Sequence, residues 1–168
     1  MKTVAELLKE MPIFNSSLDY KGKNLIFKHY FHIGFAVDTP AGLMVPVVRD
    51  VDQKNIIEIS TELQDLSQRT RDKKLKPGEL KGGTFTISSL GGIGGTFFTP
   101  IIDPPQVAIL GISESWWEKV YDHKNKTMRL RYILPFSLSY DHRVIDRAAA
   151  ARFTSRYAEM LASADNCK

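Results

Sequence analysis

The segment SLSYDHRVIDRAAAARF, residues 137–153, sets His142 and Asp146 four apart where an alternating pattern gives way to a helical one. An imidazole with an unperturbed pKa near ~6.5 is matched to taking a proton at neutral pH. The same histidine can equally be a surface residue in a turn. Asp146 can support the histidine, or cap the helix by accepting backbone N–H bonds. Ser88 and Ser89 form a second group, at the end of TFTISSL and just ahead of LGGIGG. A hydroxyl there can donate to an oxyanion, or simply satisfy a glycine-rich turn. The run is no dinucleotide fingerprint: it lacks the G-x-G-x-x-G spacing, and no P-loop lysine follows. Spacing alone leaves both groups open between chemistry and structure.

Other candidates are weaker. His29 and His32, three apart in a β-rich run, fall on opposite faces and make a poor metal pair, so they read as structural. No metal site is expected. His123 lies in the polar turn DHKNK. Trp116 and Trp117 read as core or interface.

The elements that must position these groups are legible from periodicity. Val4, Leu7, Leu8 and Met11 predict a helix over 3–11, stopped by Pro12. Residues 14–24 read as a loop. Residues 25–39 and 43–51 are β-rich runs separated by the turn signal PAG. A second helix spans 56–71, with Ile56, Ile59, Leu63 and Leu66 on one stripe. Strands follow at 84–90, 106–113 and 116–121. From Met128 to Tyr140 the chain alternates, with Tyr132, Leu134, Phe136, Leu138 and Tyr140 on one face. Val144, Ile145, Ala148, Ala149, Phe153, Tyr157 and Met160 then recur at helical spacing. The pattern is an α+β or mixed α/β arrangement of six or seven strands and three helices.

With 168 residues, 43% hydrophobic and 25% charged, the chain can bury a sizeable core as a single domain. Its net charge of +4 suits a polyanionic small ligand. The cations are spread out, without a basic run or basic-aromatic array, so no nucleic-acid partner is expected. No stretch approaches the ~20 apolar residues that span a membrane. The one cysteine, Cys167, can form no disulfide within the chain, which fits a reducing compartment such as the cytoplasm or the mitochondrial matrix.

Four segments in order carry a resemblance: FNSSLD, HIGFAVDTPAGLMVPVVRDVD, GGTFTISSLGGIGGTFFTPIIDPPQVAILGIS and LSYDHRVIDRAAAARF. From about Lys2 to Leu161 the chain resembles the catalytic core of the dihydrolipoamide acyltransferases, the central subunits of 2-oxo acid dehydrogenase complexes. ISSLGGIGGTFFTPI is most similar to the acetyltransferases of the pyruvate complexes. The resemblance implies an α+β fold with a mixed sheet flanked by helices, like chloramphenicol acetyltransferase. It implies a homotrimer with its active site in a channel between subunits, and a possible larger cubic or dodecahedral core. Coenzyme A and a lipoyl group on a separate domain are the implied substrates. Decarboxylase and dihydrolipoamide dehydrogenase subunits are implied partners, reached through domains this chain does not contain. By the same matching His142 is the general base, Ser88 the oxyanion donor and Asp146 an anchor for the histidine loop. Asp38, Ser89 and Ser113 fall where the family contacts coenzyme A, and Phe98 and Leu110 along the channel.

Two departures bear on that expectation. The family pattern has glycine where this chain has Arg147, so a bulky cation either strains the histidine loop or points to solvent. The chain also starts inside the family pattern, lacking its usual N-terminal segment, and ends in the polar ASADNCK; it reads as truncated. A non-catalytic scaffold of the same fold is therefore the rival reading. An O-acetyltransferase of the chloramphenicol type shares the histidine but not VDTPAGLMVPVVRDVD.

Overall fold

The computed structural model describes every residue except 20, 22, 124 and 164–168, so Cys167 lies outside the described residues. The first helix, α1 (Lys2–Glu10), buries Val4, Ala5, Leu7 and Leu8. It ends before Met11, whose non-helical backbone (φ −128°, ψ 70°) avoids the α region that a following proline disfavours. A 3-10 turn over Pro12–Asn15 leads into β1 (Ser16–Leu18), paired antiparallel with β2 (Leu25–Phe27). The sequence reads this stretch as loop because it is polar. Asn15, Ser16 and Ser17 are nonetheless buried, and Asn15 Nδ2 donates to the carbonyls of Lys28 and Tyr30 at 2.9 and 3.0 Å.

The β-rich half resolves into β3 (Ile33–Phe35), the hairpin of β4 (Val37–Thr39) and β5 (Gly42–Met44), and β6 (Val47–Val48). His29 and His32 precede β3 rather than lie within a strand. His32 Nδ1 accepts the Asp50 N–H at 3.0 Å, a structural role, and burial holds its pKa below the usual value. Helix α2 (Ile56–Arg71) starts with a capping box in which Asn55 and Glu58 each accept the other's backbone N–H. Ile59 and Leu66 face the core as their stripe predicts, but Ile56, on the opening turn, is 42% exposed.

The central sheet has the order β11-β8-β7-β3-β6. Its middle strands β7 (Phe85–Ser89) and β8 (Ala108–Ile112) run parallel to each other and to β3, whereas β6 and β11 (Phe136–Tyr140) are antiparallel at the edges. The alternating run 128–140 is therefore two strands. Its first part belongs to β10 (Thr127–Ile133), which pairs with β9 (Trp116–Asp122) in a separate two-stranded ribbon. Pro135, without an N–H to donate, lies at the break between them. Among the described residues eleven strands replace the six or seven read from the sequence.

One face of the sheet is covered by helices. Ile33, Phe35, Phe85, Ile87, Ala108 and Leu110 share a core with residues of α1, α2 and α3 (Arg147–Ala162). At its centre Phe153 of α3 is fully buried, 4.3 Å from the Phe14 ring and 6.0 Å from that of Phe85. Arg156 also clasps Glu10 with Nε to Oε2 at 2.9 Å, tying α3 to α1. The intervening strand positions, Gly34, Thr86, Ser88, Ile109, Gly111 and Ser137, fall on the opposite face.

Candidate active site

His142 sits in a turn held from both sides. Before it, the Asp141 N–H donates to the Val107 carbonyl at 2.8 Å, continuing the β8–β11 pairing. Asp141 then receives the Arg143 N–H at 3.0 Å and the Arg143 guanidinium, with Nε to Oδ1 at 2.9 Å. That hydrogen-bonded arginine holds the Asp141 carboxyl below its ordinary range. After the turn, Ile145 is fully buried and Asp146 caps α3, its Oδ1 accepting the Ala149 N–H at 2.7 Å. The histidine itself is exposed, its ring 5.8 Å from that of Tyr140. Asp141 and Arg143 line a cleft of about 570 Å³ together with Gln106 and Asp19.

Asp146 thus acts as a helix cap in this chain. Arg147 is the first helical residue, exposed and outside the positive-φ positions, so it points to solvent and strains nothing.

Ser88 stands near the C-terminal end of β7, on the face opposite the helices. It lines an apolar cleft of about 360 Å³ with Phe98, Leu43, Ile101 and Ile109. Phe98 is fixed there by Gly111, which lies across from both Ser88 and Ser137 in the sheet register. A Cβ on Gly111 would come within 2.9 Å of the Phe98 ring and 2.7 Å of the Ser137 hydroxyl, so only glycine leaves room. The Ser137 hydroxyl in turn donates to the Phe98 carbonyl at 2.6 Å, pinning the glycine-rich loop across the sheet. Thr86, beneath Ser88 on the same face, donates its hydroxyl to Gln106 Oε1 at 2.7 Å.

Ser89, the next residue, faces the other way. It lines a cleft of about 410 Å³ with Asp38, Ser67 and Arg71. The structure therefore brings Asp38 and Ser89 together, and places Phe98 beside Ser88. Ser113 is buried, its N–H donating to the Pro135 carbonyl at 3.1 Å. Leu110 does not line an open channel in this chain: it has no exposed surface and packs in the helix-covered core. Sequence reasoning does not single out Ser67 and Arg71. The only signal for Arg71 is that the charged segment RDKKLK (71–76) begins at the end of a helix.

One chain does not bring His142 and Ser88 together. β11 runs antiparallel to β8, so His142 follows the strand end opposite to the one where Ser88 lies. Ser137 is level with Ser88 two strands away, and His142 is five residues further on. Strand spacing and rise put the two roughly 19 Å apart. Among the described residues no group of three His, Cys, Asp or Glu side chains could hold a metal ion, and no helix is long and apolar enough to cross a membrane.

Known proteins with this sequence pattern fall in one place. The family described as 2-oxoacid dehydrogenases acyltransferase (catalytic domain) matches residues 1–167. The dihydrolipoyllysine-residue acetyltransferase component of the pyruvate dehydrogenase complex of Pseudomonas aeruginosa is 57% identical over 162 residues, 96% of this chain. The chain spans 29% of that relative's length. A solved structure of Azotobacter vinelandii dihydrolipoamide acetyltransferase, concerned with the catalytic roles of a serine, a histidine and an asparagine, superposes with a TM-score of 0.93 at 55% identity. The cubic core of a pyruvate dehydrogenase multienzyme complex superposes equally well, at 56% identity. Each comparison covers 96% of this chain and 66% of the solved one. Chloramphenicol acetyltransferase, 13% identical with a TM-score of 0.59 over 95% of this chain and 74% of its own, shares the fold.

Proposed function

This chain belongs to the family of 2-oxoacid dehydrogenase acyltransferase catalytic domains, and on that premise we propose that it transfers an acetyl group between dihydrolipoamide and coenzyme A. The observation that carries the reading is the match of nearly the whole chain, residues 1–167, to that family. In this proposal the 168 residues are one catalytic domain, and the lipoyl group arrives on another. The working unit is a homotrimer, within a larger core of the cubic kind described for the solved relative. Its setting is the bacterial cytoplasm.

The chemistry requires little more than His142 and Ser88. A thiol with pKa near ~8.5 is largely protonated at neutral pH and a poor nucleophile in that form. His142 of one copy takes the proton from the attacking thiol. The resulting thiolate adds to the carbonyl carbon of the other substrate's acetyl thioester, and the C=O electrons move onto oxygen. Ser88 of a neighbouring copy donates its hydroxyl to that oxyanion from the mouth of the apolar cleft. Collapse breaks the bond to the leaving sulfur, which recovers the proton from His142. Asp146 keeps the turn in place by capping α3. Its spacing from His142 is that of the histidine and asparagine investigated in the Azotobacter relative, four residues apart. The separation of His142 from Ser88 within one chain supports the need for assembly. With Arg147 unstrained, one of the two departures behind the scaffold reading falls away.

The test is acetyl transfer from acetyl-coenzyme A to free dihydrolipoamide, read on fractions of measured mass. Transfer should accompany the assembled fractions. His142→Ala should lower kcat by about 10²- to 10⁴-fold, and Ser88→Ala by about 10²- to 10³-fold. Assembled protein with intact His142 and no transfer would leave the scaffold as the better reading.

A further inference from the structure

The turn that carries His142 is closed by the histidine's own neighbours. Asp141 and Arg143 flank it and bond to each other across it. The Arg143 N–H donates to Asp141 Oδ1 at 3.0 Å, and the guanidinium reaches both carboxylate oxygens, Nε lying 2.9 Å from Oδ1 and 3.1 Å from Oδ2. The Asp141 main chain is committed as well. Its N–H donates to the Val107 carbonyl at 2.8 Å, and its carbonyl accepts the N–H groups of Val144 and Ile145 at 3.0 and 2.9 Å. Asp141 therefore ties the end of β11 to the residue preceding β8 and to the segment that leads into α3, with His142 enclosed between them.

The two side chains differ in setting. That of Asp141 is 19% exposed and that of Arg143 74%. A fully exposed ion pair ordinarily contributes little. Here the carboxylate is largely buried and the guanidinium forks onto it within a closed turn, so each side chain fixes the other. The helix side of the turn is anchored separately, by buried Ile145 and by the Asp146 cap on α3. Arg143 adds a fixed partner charge: without it, a carboxylate one residue from the proposed base would stand uncompensated. The other charges around the turn stay as they are when this pair is altered. Asp19 and Lys21, from the segment after β1, line the same cleft with opposite signs. Asp146 accepts the Ala149 N–H, and Arg147 is exposed at the start of α3. From β11 the Tyr140 ring lies 5.8 Å from that of His142.

We propose that Arg143 is a positioning residue for His142: its fork on Asp141 holds the turn in one geometry and offsets the carboxylate charge beside the base. This rests on the acyltransferase reading and adds to it a residue that acts through Asp141 rather than on substrate. The test compares the purified protein with Arg143→Ala, Arg143→Lys and Asp141→Asn, in acetyl transfer from acetyl-coenzyme A to dihydrolipoamide across pH. Asp141→Asn keeps an oxygen for the Arg143 N–H but leaves the guanidinium charge unpaired. Arg143→Ala should lower kcat about 10- to 100-fold, with KM for both substrates within about threefold, since the loss lies in the geometry of proton transfer. Lysine should restore part of kcat, because it keeps the charge without the fork. The acid limb of the pH profile should rise by about half a unit to one unit in Arg143→Ala, where a lone carboxylate favours the imidazolium. It should fall in Asp141→Asn, where a lone guanidinium disfavours it. A lower kcat with both limbs unmoved, as a merely loosened turn gives, overturns the proposal, and so does an unchanged kcat. Diethyl pyrocarbonate attacks the neutral imidazole, so the pH dependence of His142 modification, read by peptide mass spectrometry, is a readout independent of turnover. Opposite shifts of that dependence in Arg143→Ala and Asp141→Asn, with a parent that transfers nothing, sink the acyltransferase reading alone. An active parent with neither shift sinks the Arg143 assignment alone, and an inactive parent with neither shift overturns both.

Discussion

Replacing Asp146 separates two roles a carboxylate four residues after the proposed general base can have. Its Oδ1 accepts the Ala149 N–H at 2.7 Å, the geometry of a helix N-cap. Such a cap contributes about 1 kcal/mol, within a range of roughly 0.5–2. A negative charge at the same helix end contributes about 0.3–1 kcal/mol of favourable interaction with the helix dipole. Asp146→Asn keeps the acceptor and loses only the charge, so it should cost about 0.3–1 kcal/mol. Asp146→Ala loses both, about 1–2 kcal/mol. For a domain of this size roughly 2–4 °C of Tm follows each kcal/mol, so the asparagine variant should melt about 1–4 °C lower and the alanine variant several degrees lower. Melting should be read at one fixed protein concentration, because assembly shifts apparent stability. On the acyl-transfer assay Asp146→Asn should retain kcat within about threefold, since the His142 turn is still anchored. It should also leave the acid limb of the pH profile in place. A hundredfold fall in kcat for Asp146→Asn with an unchanged Tm would refute this reasoning, because the carboxylate would then act on the proton rather than on the helix.

Three further outcomes follow from the packing. Phe153→Ala, which empties the fully buried site between Phe14 and Phe85, should cost about 3–5 kcal/mol in urea denaturation; a cost under about 1 kcal/mol would mean those rings do not form the centre of the core. Gly111→Ala forces a methyl against the Phe98 ring and the Ser137 hydroxyl, so it should cost about 1–3 kcal/mol and lower transfer by displacing the loop beside Ser88. Partial burial holds the His32 pKa below its usual value while the neutral ring accepts the Asp50 N–H. Between the folded and unfolded values of its pKa the unfolded chain binds the extra proton, so stability should fall as pH drops below about 6.5 and level off once the folded form is protonated too. His32→Gln should flatten that slope in denaturation curves at about pH 7.5 and 5.5.

Much of the site is legible because its signals are local. The switch from alternating to helical spacing at 140–147 locates the turn that carries His142, and an aspartate at such a helix start is a favoured cap. The second helix is legible for the same reason, its capping residues and stripe lying within one segment. What local pattern misleads on is strand identity. Residues 128–140 alternate without a break, yet Pro135 lies between a strand of the outlying ribbon and a strand of the central sheet. Polar Ser16 and Ser17 read as loop, although pairing with β2 buries them. Family likeness puts Leu110 along a channel, whereas sheet packing places it wholly inside.

By itself the sequence determined the family, the candidate base and oxyanion donor, and the helices that hold them, since each depends on residues close together in the chain. Only the tertiary structure decided that Ser88 and His142 stand at opposite ends of one sheet. That follows from an antiparallel edge strand beside parallel central ones, and pairing direction is a relation between segments that no local pattern encodes. The same is true of Arg71, whose neighbours in the cleft come from the turn of the β3–β4 segment and the end of β7. Its place there was decided by how α2 crosses the sheet.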